Sequence, residues 1–197
     1  MRASQGETNE PVPQKGRIFV VSAPSGTGKT TILKRLCERR PELVYSVSAT
    51  TRAPRPGEEE GKDYLFVSTA EFRRGIEEGR FAEWAEVHKE FYGTPESFLD
   101  THISRGRDVI LDIDTQGAFQ LKSKHPEAIL IFLAPPSYAE LERRLHSRKT
   151  ESEEVMKERL EVAKKELELR DAYDHVIVNS EIERTVDNIE RVIDRGE

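Results

Sequence analysis

The stretch Ile18-Phe-Val-Val-Ser-Ala-Pro-Ser-Gly-Thr-Gly-Lys-Thr30 decides the fold. Its first four residues form a continuous apolar run rather than an alternating one, as expected of a strand buried on both faces of a parallel sheet. From residue 29 to residue 39 the pattern places Ile32, Leu33, Leu36 and Cys37 on one face of a helix. Between the two lies a glycine-rich turn, and phosphate chemistry needs that context. Backbone N–H groups of such a turn wrap a β-phosphate, and the positive end of the following helix adds to the field. Gly26 and Gly28 permit close backbone approach, Lys29 brings a point charge to the β- and γ-phosphates, and the Thr30 hydroxyl is placed to ligate Mg²⁺. We assign Ala23, Pro24, Ser25, Gly26, Thr27, Gly28, Lys29, Thr30 and Thr31 to a nucleoside triphosphate; Ala23 stands where the general pattern has its first glycine. The loop alone is compatible with ATPases, GTPases and kinases. No Asn-Lys-x-Asp segment of the kind that specifies guanine in GTPases is present.

Further apolar runs at residues 109–111, 129–133 and 176–178 are also continuous, and a weaker one covers 43–46. Helical patterns alternate with them at 137–147, 152–170 and 182–193, using Leu141, Leu145, Val186, Ile189 and Ile193 as core positions. This alternation predicts right-handed βαβ units and the α/β class, with a P-loop NTPase core built on a doubly wound parallel sheet. Two segments break the rhythm. Residues 48–95 mix strand-like pieces with a helix near 69–78 and read as an inserted α+β subdomain. Residues 148–159 are dense in charge and read as a helical lid. The core is then 16–47, 96–147 and 160–197, after a disordered tail over 1–15.

Composition narrows the partners. A chain of 197 residues is long enough for one buried core and a smaller insertion. Its net charge of −6 argues against a general nucleic-acid binder. The single Cys37 excludes a disulfide framework, and the five histidines lack metal-ligand spacing. No apolar run approaches a membrane span and no secretory signal pattern opens the chain, so a cytoplasmic setting is the expectation. Nothing in the pattern favours a monomer over a homo-oligomer.

The insertion carries the next clue. Ser46-Val-Ser-Ala-Thr-Thr-Arg-Ala-Pro-Arg-Pro-Gly-Glu58, with Gly61-Lys-Asp-Tyr64, closely resembles the guanylate kinase family. So do Glu83-Trp-Ala-Glu86, Tyr92-Gly-Thr94, Leu111-Asp-Ile-Asp114 with Gln116-Gly117, and Val176-Ile-Val-Asn179. The resemblance runs from about residue 16 to the last helix and implies transfer of the γ-phosphate of ATP to GMP, and to dGMP, in purine nucleotide metabolism. By this resemblance Arg52, Arg55, Tyr64 and Tyr92 hold the GMP phosphate, and residues 48–95 form the GMP-binding insertion. The chemistry agrees, because two guanidinium forks clamp a dianion and phenol hydroxyls fill its remaining acceptor positions. Ser48, Glu83 and Thr94 match the guanine-reading positions: a carboxylate accepts guanine N1–H and its amino group together, and hydroxyls donate to O6.

Asp112 and Asp114 follow a buried strand, where acids reach either the Mg²⁺ shell or the acceptor nucleotide. Asp112 is the preferred metal ligand beside Thr30, and the resemblance implies that both acids also support GMP. Arg144 and Arg148 stand four apart on one helix face, and with Arg159 they match the lid arginines of the family. Such guanidinium groups stabilise charge on the transferring phosphoryl group, so these three join Lys29 as the catalytic set. Asn179 matches an adenine-side position, and Lys149 departs from the glycine frequent in the family.

Plainer readings stand beside these. Glu140, four residues before Arg144, makes an ordinary surface ion pair there, and Tyr64 and Tyr92 suit a core. The alternative function is a non-catalytic guanylate kinase-like protein-interaction domain, which typically loses the loop lysine and lid arginines that this chain retains. A kinase for another nucleoside monophosphate and a P-loop ATPase module are the remaining rivals.

Overall fold

A computed structural model describes residues 15–87, 89–146 and 153–196, with side chains described from Met156 onward in the last of these segments. The first fourteen residues of the expected tail, and residues 147–152, which include Arg148 and Lys149 of the expected lid, lie outside the described residues. The elements in chain order are β1 (Ile18–Ser22), α1 (Lys29–Arg39), β2 (Val44–Tyr45), β3 (Ala49–Thr50), β4 (Leu65–Phe66) and α2 (Thr69–Glu77). There follow β5 (Phe81–Val87), β6 (Glu90–Pro95), α3 (Glu96–Ile103), β7 (Val109–Asp112), α4 (Thr115–Lys124) and β8 (Ile129–Ala134). Next come α5 (Tyr138–His146), α6 (Glu153–Glu168), a 3₁₀ turn (Arg170–Ala172), β9 (His175–Val178) and α7 (Ile182–Arg195).

The main sheet is parallel throughout, in the order β2-β7-β1-β8-β9. Its strands are apolar without alternation because both faces are covered. Phe19 and Val21 face a cluster shared with Ile32, Leu33 and Leu36 of α1 and Val186, Ile189 and Ile193 of α7. Ile18 and Val20 face the other way, with Leu99 of α3, Ala118 and Leu121 of α4, and Tyr173. Helices thus lie on both sides, and the expected doubly wound α/β architecture is present. Burial of these aliphatic and aromatic side chains, at about 1.5–3 kcal/mol each, outweighs the ion pairs along the α1–α7 seam. Those pairs, such as Arg35–Glu183 and Arg40–Asp194, join partly or largely exposed side chains and contribute little.

The second sheet, in the order β4-β3-β6-β5, is mixed: β3 and β4 are parallel, while β6 runs antiparallel to β3 and β5. It lies within the segment read as an insertion. Phe72 of α2 stacks on Phe81 with centroids 4.2 Å apart and on Phe91 at 5.4 Å, giving this sheet its own core. Ser68 caps α2 through a reciprocal box with Glu71. The insertion is fastened to the main body along α4: Gln120 Oε1 accepts the Trp84 N–H at 3.1 Å and Lys124 Nζ donates to the Phe81 carbonyl at 2.5 Å. This docking places β5, and Glu83 on it, beside the end of β7.

The lid expectation is modified in one respect. Residues 153–168 form one continuous helix, and Met156 is buried with Leu141 and Leu145 of α5. The second half of the 148–159 segment is therefore part of a packed helix and contributes one core residue, Met156.

Candidate active site

The loop between β1 and α1 has the geometry that an anion site requires. Gly26 and Gly28 adopt φ of +88° and +95°, conformations costly for a residue with a side chain. A Cβ at Gly26 would also meet Leu145 Cδ2 at 2.8 Å. Gly28 is the N-cap of α1, with no side-chain cap and no acidic residue in the first turn. The N–H groups that a serine or aspartate would otherwise satisfy are left for a ligand. Lys29 reaches across to β7, 2.7 Å from Asp112 Oδ1 and 2.9 Å from the Ile113 carbonyl.

Three side chains from other elements hold the loop. Arg144 on α5 donates through Nη1 to the Thr27 carbonyl at 3.1 Å, while its Nε pairs with Glu140 at 2.8 Å. The surface pair and the loop contact are made by the same guanidinium. Arg159 on α6 donates through Nη2 to Ser25 Oγ. Asn179, after β9, donates through Nδ2 to the Thr27 carbonyl at 2.6 Å and accepts from Thr185 Oγ1 at 3.2 Å. Both ends of the Asn179 amide are engaged and the residue is 6% exposed, so here it braces the loop from behind.

Next to the loop is a cavity of about 340 Å³ lined by Ser48, Arg52, Arg55, Tyr64, Glu83, Tyr92, Asp112 and Asp114. Glu83 is 4% exposed, and Thr94 satisfies its Oε1 twice, through Oγ1 at 2.6 Å and the backbone N–H at 2.9 Å. Burial pushes the Glu83 carboxyl up to about 7. Arg52 pairs with Glu58 at 2.8 Å and lies over the Tyr64 ring at 5.3 Å. Glu58 also accepts the Arg55 N–H at 2.7 Å, whereas the Arg55 guanidinium forms no hydrogen bond or ion pair among the described residues. The Tyr64 and Tyr92 rings meet edge-on at 6.0 Å. Asp112 accepts from Tyr45 OH at 3.0 Å, and Asp114 caps α4 by accepting the Gly117 N–H at 2.7 Å. Register connects the cavity to the loop, since Val21 at the end of β1 pairs with Asp112.

Comparison with known proteins agrees with this geometry. The family described as "Guanylate kinase" matches residues 15–196. The chain belongs to the guanylate kinase family. It is 47% identical over 179 residues to the guanylate kinase of Thermotoga maritima, covering 91% of this chain and 86% of that protein. The guanylate kinase of Rubrobacter xylanophilus is 46% identical over 182 residues, covering 92% and 95%. A crystal structure of the guanylate kinase from Anaplasma phagocytophilum superposes with a TM-score of 0.76 at 39% identity, covering 93% of this chain and 87% of that one.

Within this family framework the nine acceptor-side residues of the sequence reading come together: eight line the cavity and Thr94 lies directly behind Glu83. Arg148 is outside the described residues. Thr30 and Asp112 share the wall of an adjoining cavity of about 620 Å³ with Tyr45 and Tyr64. Several contributors were missed. Glu58 and Tyr45 are the present partners of Arg52 and Asp112, and Glu166 on α6 is set against the loop. Gly117 approaches Glu83 so closely that a Cβ there would stand 2.5 Å from Oε2. Glu58 and Gly117 both lie within the quoted motifs and were signals to follow; Glu166 is one acid among many in a charged helix. Among the described residues no helix is long and apolar enough to cross a membrane.

Proposed function

We propose that this chain transfers the γ-phosphoryl group of Mg·ATP to GMP, giving ADP and GDP. The observation that carries the reading is the single cavity that unites a guanidinium pair, two phenols and a buried carboxylate beside the phosphate loop. Arg52 and Arg55 bind the acceptor phosphate, with Glu58 yielding its place on Arg52 to the stronger dianion. Glu83 Oε2, the oxygen that Thr94 leaves unoccupied, accepts from guanine N1–H and the amino group, and Ser48 donates to O6. Adenine offers no donor at N1, so it would strand a buried carboxylate.

On the donor side the loop amides and Lys29 hold the β- and γ-phosphates, and Arg144 and Arg159 are already anchored on the loop that carries them. Arg148 completes this set by its place in the sequence motif. No side-chain base is needed, since the acceptor oxygen is already anionic and alignment with charge neutralisation lowers the barrier. The donor set fits Mg²⁺: Thr30 and Asp112 offer one hydroxyl and one carboxylate to a shared cavity. Among the described residues no cluster of three or more His, Cys, Asp or Glu is placed to hold an ion by itself. That suits an ion which completes its shell with phosphate and water. When bound, Mg²⁺ neutralises charge on the β- and γ-phosphates.

The test is ADP production by the purified protein with Mg·ATP and GMP, AMP, dTMP or CMP. Turnover with GMP alone is the expected result. Turnover with a different monophosphate would overturn the guanine-reading roles, and none with any would overturn the kinase reading.

A further inference from the structure

Glu166 has no role in the chemistry above. It follows Arg159 by seven residues on α6, so the two side chains share one helix face. That face meets the phosphate loop at one residue: Arg159 bonds the Ser25 hydroxyl, and the Ser25 backbone N–H favours the charged form of Glu166. Lys29 at the start of α1 also favours that charge, whereas Asp114 at the start of α4 opposes it, and Tyr173 after the 3₁₀ turn lies within its influence. Burial outweighs the favourable partners and pushes the carboxyl up to about 7. Oε2 of Glu166 is buried without a hydrogen-bond partner among the described residues.

A triphosphate entering this loop changes each of these balances in one direction. Lys29 turns from the acids to the phosphates, and the Ser25 region receives negative charge that Mg²⁺ offsets only in part, beside a carboxylate oxygen already buried without a partner among the described residues. We propose that ATP binding is coupled to the uptake of one proton from solvent by Glu166, so that the loaded site holds a neutral carboxylic acid on α6. No bond other than the new O–H forms. The inference rests on the reading of the loop as the ATP site. A Glu166 that merely seats α6 would leave the proton count untouched.

Calorimetric titration with Mg·ATP, without GMP and near pH 7.5, in two buffers of different ionisation enthalpy, counts the protons exchanged. The wild type should take up about half a proton per ATP, and Glu166→Gln should lose that uptake. ATP affinity should fall several-fold between pH 7 and 8.5 in the wild type and stay flat in the variant. Equal proton counts in the two proteins, or none in the wild type, would overturn the coupling while leaving the ATP site intact. If Glu166→Gln does not fold, Glu166→Ala is titrated in its place, because Glu83 is also raised to about 7 and would contribute to a wild-type count read alone. No ATP binding by the wild type would remove the ATP reading itself, and this inference with it.

Discussion

Lys29 Nζ lies 2.7 Å from Asp112 Oδ1, so the phosphate-loop lysine and the acid at the end of β7 are joined directly. The pair, with the Ile113 carbonyl 2.9 Å away, holds the lysine extended toward the end of β7. Lys29→Met should lower kcat about a hundredfold or more, the effect of removing one preorganised charge from the transition state. Both partners are partly exposed, so Asp112 can resolvate and the fold should persist. Steady-state kinetics with far-UV circular dichroism checks both statements, and near-normal turnover would remove Lys29 from the catalytic set.

Glu83→Gln keeps shape but replaces a charged acceptor with an amide. A hydrogen bond to a charged group is worth about 1.5–3 kcal/mol, so kcat/KM for GMP should fall by about one to two orders of magnitude. KM for ATP should stay close to the wild-type value, because Glu83 lines the acceptor cavity. Equal losses for both nucleotides would show that Glu83 supports the fold rather than the base.

The same carboxyl makes stability and GMP binding respond to pH in opposite directions. Its folded-state pKa is raised to about 7 from 4.5, chiefly by burial. The folded chain therefore binds more protons than the unfolded chain between these values, and stability falls as pH rises through that window, by about 3 kcal/mol for this one group. If the ionised Glu83 accepts guanine N1–H as proposed, GMP affinity should rise over the same interval. Urea unfolding at pH 5 and pH 8 should show Glu83→Gln gaining on the wild type at the higher pH. A constant stability difference between the two proteins would mean that Glu83 is not buried as a charge.

The sequence made the parallel sheet plain, because residues 18–21 and 129–133 are apolar without alternation and glycine-rich or helical patterns bound them. It concealed α3 and α4. Their apolar stripes are short: Leu99 with the partly buried Phe98 and Ile103 in α3, and Ala118 and Leu121 behind Gly117 in α4, each spanning too few turns to stand out. The hairpin of β5 and β6 was equally hidden, since β5 follows no period of two: Phe81, Ala82 and Glu83 are all buried. At the site, charged residues in motifs were readable while their present partners were not. Glu58 and Tyr45 reach Arg52 and Asp112 only through the fold, and Asn179 turns out to brace Thr27.

Gly117 lies directly against the Glu83 carboxylate. Its N–H caps onto Asp114 Oδ1 at 2.7 Å, and a Cβ at this position would lie 2.5 Å from Glu83 Oε2 and 3.4 Å from Asp114 Oδ1. No left-handed φ is involved, so alanine is acceptable to the helix backbone and even favoured by propensity. The cost falls on Glu83, which cannot retreat easily because Thr94 holds its Oε1 at two points. Gly117→Ala should therefore displace Oε2 from the acceptor cavity, raising KM for GMP by about tenfold through one weakened charged hydrogen bond while KM for ATP stays within twofold. Thermal unfolding separates this from a general packing defect. A variant with wild-type GMP kinetics would show that Glu83 moves freely and that Gly117 has no part in base recognition.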